Sequence, residues 1–237
     1  MNLGSHVGDL PGHVTANRAL LQQVVGCQPV FFNQVHGTAA AVISRATPDG
    51  LAADASLTTE ADVACTIMVA DCLPVLFTTR CGDVVAAAHA GWRGLAGAGG
   101  QGVLESTVAA IIASFRAQEP IKRAQEAPQI IAWLGPCIGP AAFEVGAEVR
   151  ELFVASQTGA EGCFTLAAHG KLTADLAGLA RLRLRALGIT EIYGNDSTEA
   201  WCTASNPSRF FSHRRDAGVQ GNGFGTTGRM AACVWLS

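Results

Sequence analysis

The sequence predicts a mixed α/β or α+β fold: β-sheets flanked by helices in a single domain, with a metal cleft at strand ends. Three observations predict it. Apolar runs of strand length outnumber helical stretches about two to one. Their order is irregular rather than a strict strand–helix alternation, and two pairs of runs are joined by connections short enough for antiparallel hairpins. A chain of 237 residues is of a size for one domain spanning 1–237.

In chain order, Thr15 to Val25 reads as a helix, with Ala16, Leu20, Leu21, Val24 and Val25 on one face and Gly26 as the stop. Val30 to Val35, Ala39 to Ser44, Val63 to Ala70, Pro74 to Thr79 and Val84 to His89 read as strands. Gly102 to Phe115 is the second helix. Ala117 to Pro128, with two prolines and much of the local charge, reads as an exposed connection. A strand follows at Gln129 to Leu134, then helices at Glu144 to Ala155 and Leu172 to Leu187. The last has a Leu-rich face with Arg181, Arg183 and Arg185 interleaved, and the arginines are expected to face water. Ile189 to Gly194, Phe210 to His213 and Arg229 to Trp235 complete the strands.

Composition excludes several classes. Sixteen Lys and Arg against 19 Asp and Glu leave a net charge of −3 and no basic excess for a phosphate backbone, so no nucleic-acid partner is expected. The eight cysteines are scattered without a C-x-x-C pair, which removes zinc-ribbon and thioredoxin spacings. Mostly reduced, buried thiols are expected. The longest apolar stretches, Val63 to Ala70 and Val84 to Ala88, fall well short of the roughly 18 residues that cross a bilayer. Met1 to His6 lacks the basic and apolar regions of a secretory signal. The expectation is a soluble, cytoplasmic protein without a membrane partner.

Three phrases put a metal-binding side chain directly after a hydrophobic run: Asn33-Gln34-Val35-His36-Gly37, Ala70-Asp71-Cys72-Leu73-Pro74 and His89-Ala90-Gly91-Trp92-Arg93-Gly94. A residue at a strand end is held by rigid backbone while its tip faces a cleft. His36, Cys72 and His89 are therefore a candidate set. Two imidazoles and a thiolate suit Zn²⁺, and three ligands leave the fourth position open for chemistry. The alternative is two hydrogen-bonded core histidines and a small core cysteine, since no local spacing rule links the three.

Those phrases occur in order with Gly135-Pro136-Cys137-Ile138-Gly139-Pro140, Phe143-Glu144-Val145-Gly146, Phe211-Ser212-His213-Arg214-Arg215-Asp216 and Thr227-Gly228-Arg229. Together they resemble the polyphenol oxidase or laccase-domain family, also described as purine nucleoside phosphorylases of the bacterial YfiH type. The resemblance runs from Asn2 to the C-terminus. It implies that His36, Cys72 and His89 bind a catalytic zinc. It also implies phosphorolysis of adenosine, inosine, guanosine and methylthioadenosine, deamination of adenosine, and a link to correction of peptidoglycan precursors. The laccase label implies copper. A multicopper oxidase needs a cluster of many imidazoles, commonly in H-x-H pairs, and the six histidines include no such pair, so copper is the less favoured metal.

An anionic nucleophile calls for guanidinium donors, for which Arg93, Arg214 and Arg215 are candidates, with Arg93 placed beside Cys72 and His89 in the catalytic set. A surface salt bridge for Arg93 and a solvated turn for the pair are the plainer readings. Asp71 and Glu144 are candidates to orient a ligand or move a proton, with an ordinary structural hydrogen bond as the equal alternative for both. Asn2, Asn33 and Gln34 carry amides that would read a purine edge or only satisfy backbone. His213 is expected beside the substrate pocket, and Cys137 is expected to be structural. Gly97-Ala98-Gly99-Gly100-Gln101-Gly102 matches G-x-G-x-x-G, yet it starts eight residues after His89 and no regular βαβ unit follows, so a small-residue entry to a helix is expected instead of a dinucleotide site. Family members usually carry a further N-terminal strand and a threonine-rich, arginine-containing glycine loop upstream of Asn-Leu-Gly; if those residues are absent, the expectation is that part of one sheet edge and one substrate-binding arginine are missing, and full activity with them.

Two other classes stay open. Cys72 as thiolate nucleophile with His89 as base would make a cysteine hydrolase acting on a peptidoglycan precursor or another amide. Exposed thiols at Cys27 or Cys81 would suit a non-enzymatic redox or partner-binding protein.

Overall fold

Pro11 in the first turn and Gly26, left-handed at φ 73°, bound the first helix, whose last turn closes with the Gly26 N–H on Gln22 O. The computed structural model describes residues 1–118, 127–167, 170–217 and 227–237. Among them the chain runs α1 (Pro11–Val25), β1 (Gln28–Val30), β2 (Ala40–Val42), β3 (Ala55–Thr58), β4 (Val63–Val69), β5 (Leu73–Thr79), β6 (Val85–Ala90), α2 (Trp92–Ala96), α3 (Val103–Gln118), β7 (Ile130–Leu134), β8 (Glu144–Val145), α4 (Ala147–Ser156), β9 (Phe164–Leu166), β10 (Leu172–Ala174), α5 (Leu176–Ala186), β11 (Glu191–Gly194), α6 (His213–Asp216) and β12 (Met230–Val234). No helix among the described residues is long and apolar enough to cross a membrane.

The six-stranded sheet has the order β11-β7-β5-β6-β3-β2. β5 is antiparallel to both neighbours, whereas β11 with β7 and β2 with β3 are parallel. Smaller sheets have the orders β1-β4-β12 and β8-β10-β9. This is the α+β arrangement that the irregular element order predicts. Side-chain alternation gives the large sheet two buried faces. Ala86, Ala88 and Ala90 of β6 join Leu73, Val75 and Phe77 of β5 in one core with Ile111 and Phe115 of α3. Val85 and Ala87 face the other way, onto Val63, Cys65, Ile67 and Val69 of β4. β4 is buried at every position, which explains its unbroken apolar run.

Several expectations are corrected. The strand expected over Val30 to Val35 ends at Val30, beyond which the chain forms the loop that carries His36. Phe210 to His213 is not a strand: the Ser212 side chain caps α6 by accepting from Arg215 N–H. Glu144 and Leu172 open short strands rather than helices, and α5 starts only after Asp175, whose side chain accepts from Gly178 N–H. β3 and β9 have no counterpart in the sequence reading. Most of the expected connection at Ala117 to Pro128 lies outside the described residues.

The arginines of α5 do not all face water. Arg183 is 1% exposed. Its guanidinium donates to Gly100 O, Ala96 O and Ser156 Oγ and pairs with Glu105 at 3.1 Å. Arg181 donates to carbonyls of Ile192, Gly194 and Asn195. The glycine phrase belongs to this frame. A Cβ on Gly97 would strike Gln101 O, and one on Gly102 would strike Leu95 O, so the turn packs too tightly for larger residues. The eight cysteines are free; four are buried, three half-buried, and Cys81 is exposed.

Candidate metal centre

His89 lies on β6 on the same face as Val85 and Ala87, and so points between the large sheet and β4. The β3–β6 register pairs Ala55 with Ala88, which sets Asp54 across from His89. His89 N–H donates to Asp54 O at 2.7 Å, and His89 Nδ1 lies 2.8 Å from Asp54 Oδ1. Cys72 immediately precedes β5 and packs against the same core as β4. His36 arrives from the loop between β1 and β2 in a left-handed backbone conformation, φ 60°.

One buried carboxylate shapes that loop. Asp54 accepts the backbone N–H groups of Val35, His36 and Gly37 while holding His89. It thereby fixes two of the three candidate ligands from behind, with His89 Nε2 left facing the cleft. Asp54 was missed in the sequence, where the mixed stretch Asp54-Ala55-Ser56-Leu57-Thr58 gives no apolar run to mark a strand. Gly91 supplies the space: a Cβ there would lie 2.8 Å from His36 Cδ2 and 2.9 Å from Cys72 Sγ.

The ligand atoms of His36, Cys72 and His89 all lie within 4.8 Å of one another, the only such three-residue group among the described residues. Cys72 Sγ is 3.6 Å from His36 Nε2. His89 is buried, Cys72 half-buried and His36 exposed, so the group opens to one side. Two imidazoles, a thiol and that open side fit a four-coordinate metal with one exchangeable position. Burial alone would raise the Cys72 thiol, but the His89 charge and hydrogen bonds from both imidazoles bring it down to about 6. Burial would lower His89, and the Cys72 thiolate with Asp54 raises it to about 9. Burial likewise opposes ionisation of Asp54, yet its bonds from His89 and the loop amides hold it below the usual carboxylate range. The two shifts have one cause, a thiolate–imidazolium attraction between Cys72 and His89, and a metal ion would take the place of the His89 proton.

The three residues line a cleft of about 440 Å³. Arg93, Arg214 and Arg229 line it as well, with Met68, Ile138 and Phe143 as apolar wall and His6 and His213 at its margin. Arg93 stacks on Trp92 and forms no ion pair among the described residues. Arg214 reaches the cleft because its backbone N–H donates to Asp71 Oδ2 at 2.6 Å. Asp71, at φ 91°, also accepts from Thr203 Oγ1, so it joins the Cys72 turn to α6 rather than orienting a ligand.

The other expected residues stand apart. Arg215 is engaged by the carbonyls of Thr203, Ala204 and Phe210 and by Asp216, and it does not line the cleft. Gln34 borders the cleft, but its amide is paired with both backbone groups of Met68. Asn33 is exposed in a bridge to Ala52 and does not line the cleft. The Asn2 amide is taken up by Gly4, Asp9 and the Arg229 N–H. Glu144 pairs with Lys171 on the surface. Cys137 is buried beside Asn195, its thiol pushed well up by burial.

A family profile described as "Multi-copper polyphenol oxidoreductase laccase" matches residues 1–237. A Pseudomonas aeruginosa protein named purine nucleoside phosphorylase PA4543 is 44% identical over 238 residues, covering 100% of this chain and 86% of that protein. Purine nucleoside phosphorylase YfiH of Escherichia coli is 44% identical over 239 residues, with the same coverage. Among solved structures, Neisseria meningitidis protein NMB0706 superposes with a TM-score of 0.82 at 42% identity over 100% of this chain and 86% of that one. YlmD of Geobacillus stearothermophilus gives 0.80 at 29% identity over 99% and 84%.

Proposed function

The chain belongs to the family described as multi-copper polyphenol oxidoreductase laccase, and from that premise we propose that it is a zinc-dependent, cytoplasmic purine nucleoside phosphorylase that also deaminates adenosine. The observation that carries this reading is the half-open His36, Cys72 and His89 group inside a cleft lined by Arg93, Arg214 and Arg229. The names of its relatives, purine nucleoside phosphorylases, point the same way.

In phosphorolysis a phosphate oxygen bonds to the ribose C1′ as the N-glycosidic bond breaks. The bond pair leaves with the purine, which takes a proton. In deamination water adds at the amino-bearing purine carbon and ammonia departs. A zinc ion held by His36, Cys72 and His89 would supply Lewis acidity and activate water at neutral pH. The protein does the rest. Guanidinium groups orient the dianion and offset its charge. Met68, Ile138 and Phe143 give the flat purine an apolar wall. Asp54 keeps the His89 ring oriented, with Nδ1 occupied.

Copper is the rival metal. Six histidines without an H-x-H pair, and one three-residue group among the described residues, favour a single Lewis-acid ion over a multicopper cluster. The cysteine hydrolase reading draws on the Asp54–His89–Cys72 line, which resembles a base-activated nucleophile. In that reading His36 would only help to hold the Cys72 thiolate. Incubation of the metal-loaded protein with adenosine, with and without phosphate, tests the proposal by product mass. Phosphate-dependent adenine and ribose 1-phosphate, with phosphate-independent inosine, are expected. A covalent adduct on Cys72 of metal-free, active protein would overturn it.

A further inference from the structure

We infer that Arg229 is the inner guanidinium of an anion subsite in this cleft, binding a phosphate oxygen, and that Asn2 acts as its positioning residue. The inference rests on the phosphorolysis reading and deepens it, assigning the subsite to a residue that the charge argument on the sequence passed over.

The cleft arginines differ in how they are held. Arg93 is exposed and stacked on Trp92. Arg214 is exposed, with two nitrogens on the carbonyls of Ala142 and Glu144 at 3.4 and 3.0 Å. Arg229 is half-buried. Its Nη1 donates to Thr227 O and Gly228 O, while Nε and Nη2 have no protein partner among the described residues. It forms no ion pair there either, although the negative charges of Cys72 and Asp71 act on it within the cleft. A half-buried guanidinium that lines the cleft with two donors open to solvent is placed to take an anion.

The first residues of the chain build a cradle for it. Asn2 Oδ1 accepts both Gly4 N–H at 2.9 Å and Arg229 N–H at 2.8 Å. Leu3 N–H donates to Arg229 O at 3.0 Å. Gly4 lies flat against the arginine stem, where a Cβ would come within 2.8 Å of Arg229 Cγ. The Asn2 amide nitrogen is itself tied to Asp9 at 2.9 Å. Asn2 therefore holds the arginine rather than reading a purine edge. His6 borders the same space, its pKa lowered by partial desolvation and by the charges of Arg229 and Arg18.

The test titrates inorganic phosphate calorimetrically into metal-loaded wild type, Arg229→Gln, Arg229→Lys and Asn2→Ala, and measures KM for phosphate and for nucleoside separately. Arg229→Gln should weaken phosphate binding by roughly ten- to a hundredfold, with the phosphate KM rising in step and the nucleoside KM within about twofold. Arg229→Lys should fall between, since it keeps the charge without the fork. Asn2→Ala should raise the phosphate KM with the nucleoside KM unchanged. Phosphate binding that is absent from wild type or unaltered in Arg229→Gln overturns the inference, as does a nucleoside KM that rises as much as the phosphate KM. Arg229-dependent phosphate binding without ribose 1-phosphate production leaves the subsite standing and removes the phosphorolysis reading. Production of ribose 1-phosphate at an unaltered phosphate KM in Arg229→Gln does the reverse.

Discussion

Two buried charges organise this protein, at Asp54 in the candidate metal centre and Arg183 behind the glycine turn, 0% and 1% exposed. Each gathers groups that are distant in sequence. Asp54 collects three loop amides and a histidine ring, and both its oxygens are satisfied. Arg183 collects carbonyls at the end of α2 and in the glycine turn together with Glu105, and its Nε has no partner among the described residues. The signs match the backbone that each meets: amides for a carboxylate, the carbonyl end of a helix for a cation. The difference lies in what they hold. Asp54 grips side chains whose other ends face a cleft, whereas Arg183 closes a frame.

Replacing ligands gives the largest expected effect. Cys72→Ala and His89→Ala should each take bound zinc from about one per chain to near zero, with loss of turnover, as read by elemental analysis and product assay. Retained metal in both would break the comparison at its root.

Arg183→Met should lower stability by about 3–5 kcal/mol, because Glu105 and several carbonyls lose their partner. A shifted urea midpoint with unchanged zinc per folded chain is expected. Parallel loss of metal would show that the frame and the site are one unit.

Asp54→Asn keeps the shape of the hub and removes its charge. Zinc affinity should fall by about 10–100-fold, measured by competition with a chelator, with a smaller loss of stability than Arg183→Met. An unchanged affinity would contradict the role given to Asp54.

The smallest effect is expected at the surface. Arg45 and Asp62 pair at 2.7 Å with more than half of each side chain exposed, so Arg45→Gln should change stability by less than about 1 kcal/mol. A loss comparable to that of Arg183→Met would erase the distinction between buried and exposed charge.

What the sequence made legible follows the range of the forces involved. Val63 to Ala70 and Pro74 to Thr79 read almost as they fold, because length and apolar content are local. His89 was legible as a strand-end side chain, whereas His36 comes from a loop six residues beyond β1 and Cys72 just precedes β5, so the motifs in order supplied the grouping. Asp54 was not legible, because its meaning depends on a register that sets it opposite a residue 35 positions away. Arg183 sits in a Leu-rich helix and looks like a solvated neighbour until α2 and α3 pack over it. Arg229 gains its cradle from Asn2, 227 positions distant. Phe210 to His213 misled because an aromatic run resembles a strand while a single serine hydroxyl decides for a helical turn.

The most direct test of the central claim is metal stoichiometry measured together with turnover in wild type and Cys72→Ala. About one zinc per wild-type chain is predicted, with almost none in the variant and phosphate-dependent cleavage of adenosine lost in step. Full turnover by a metal-free Cys72→Ala protein would contradict it.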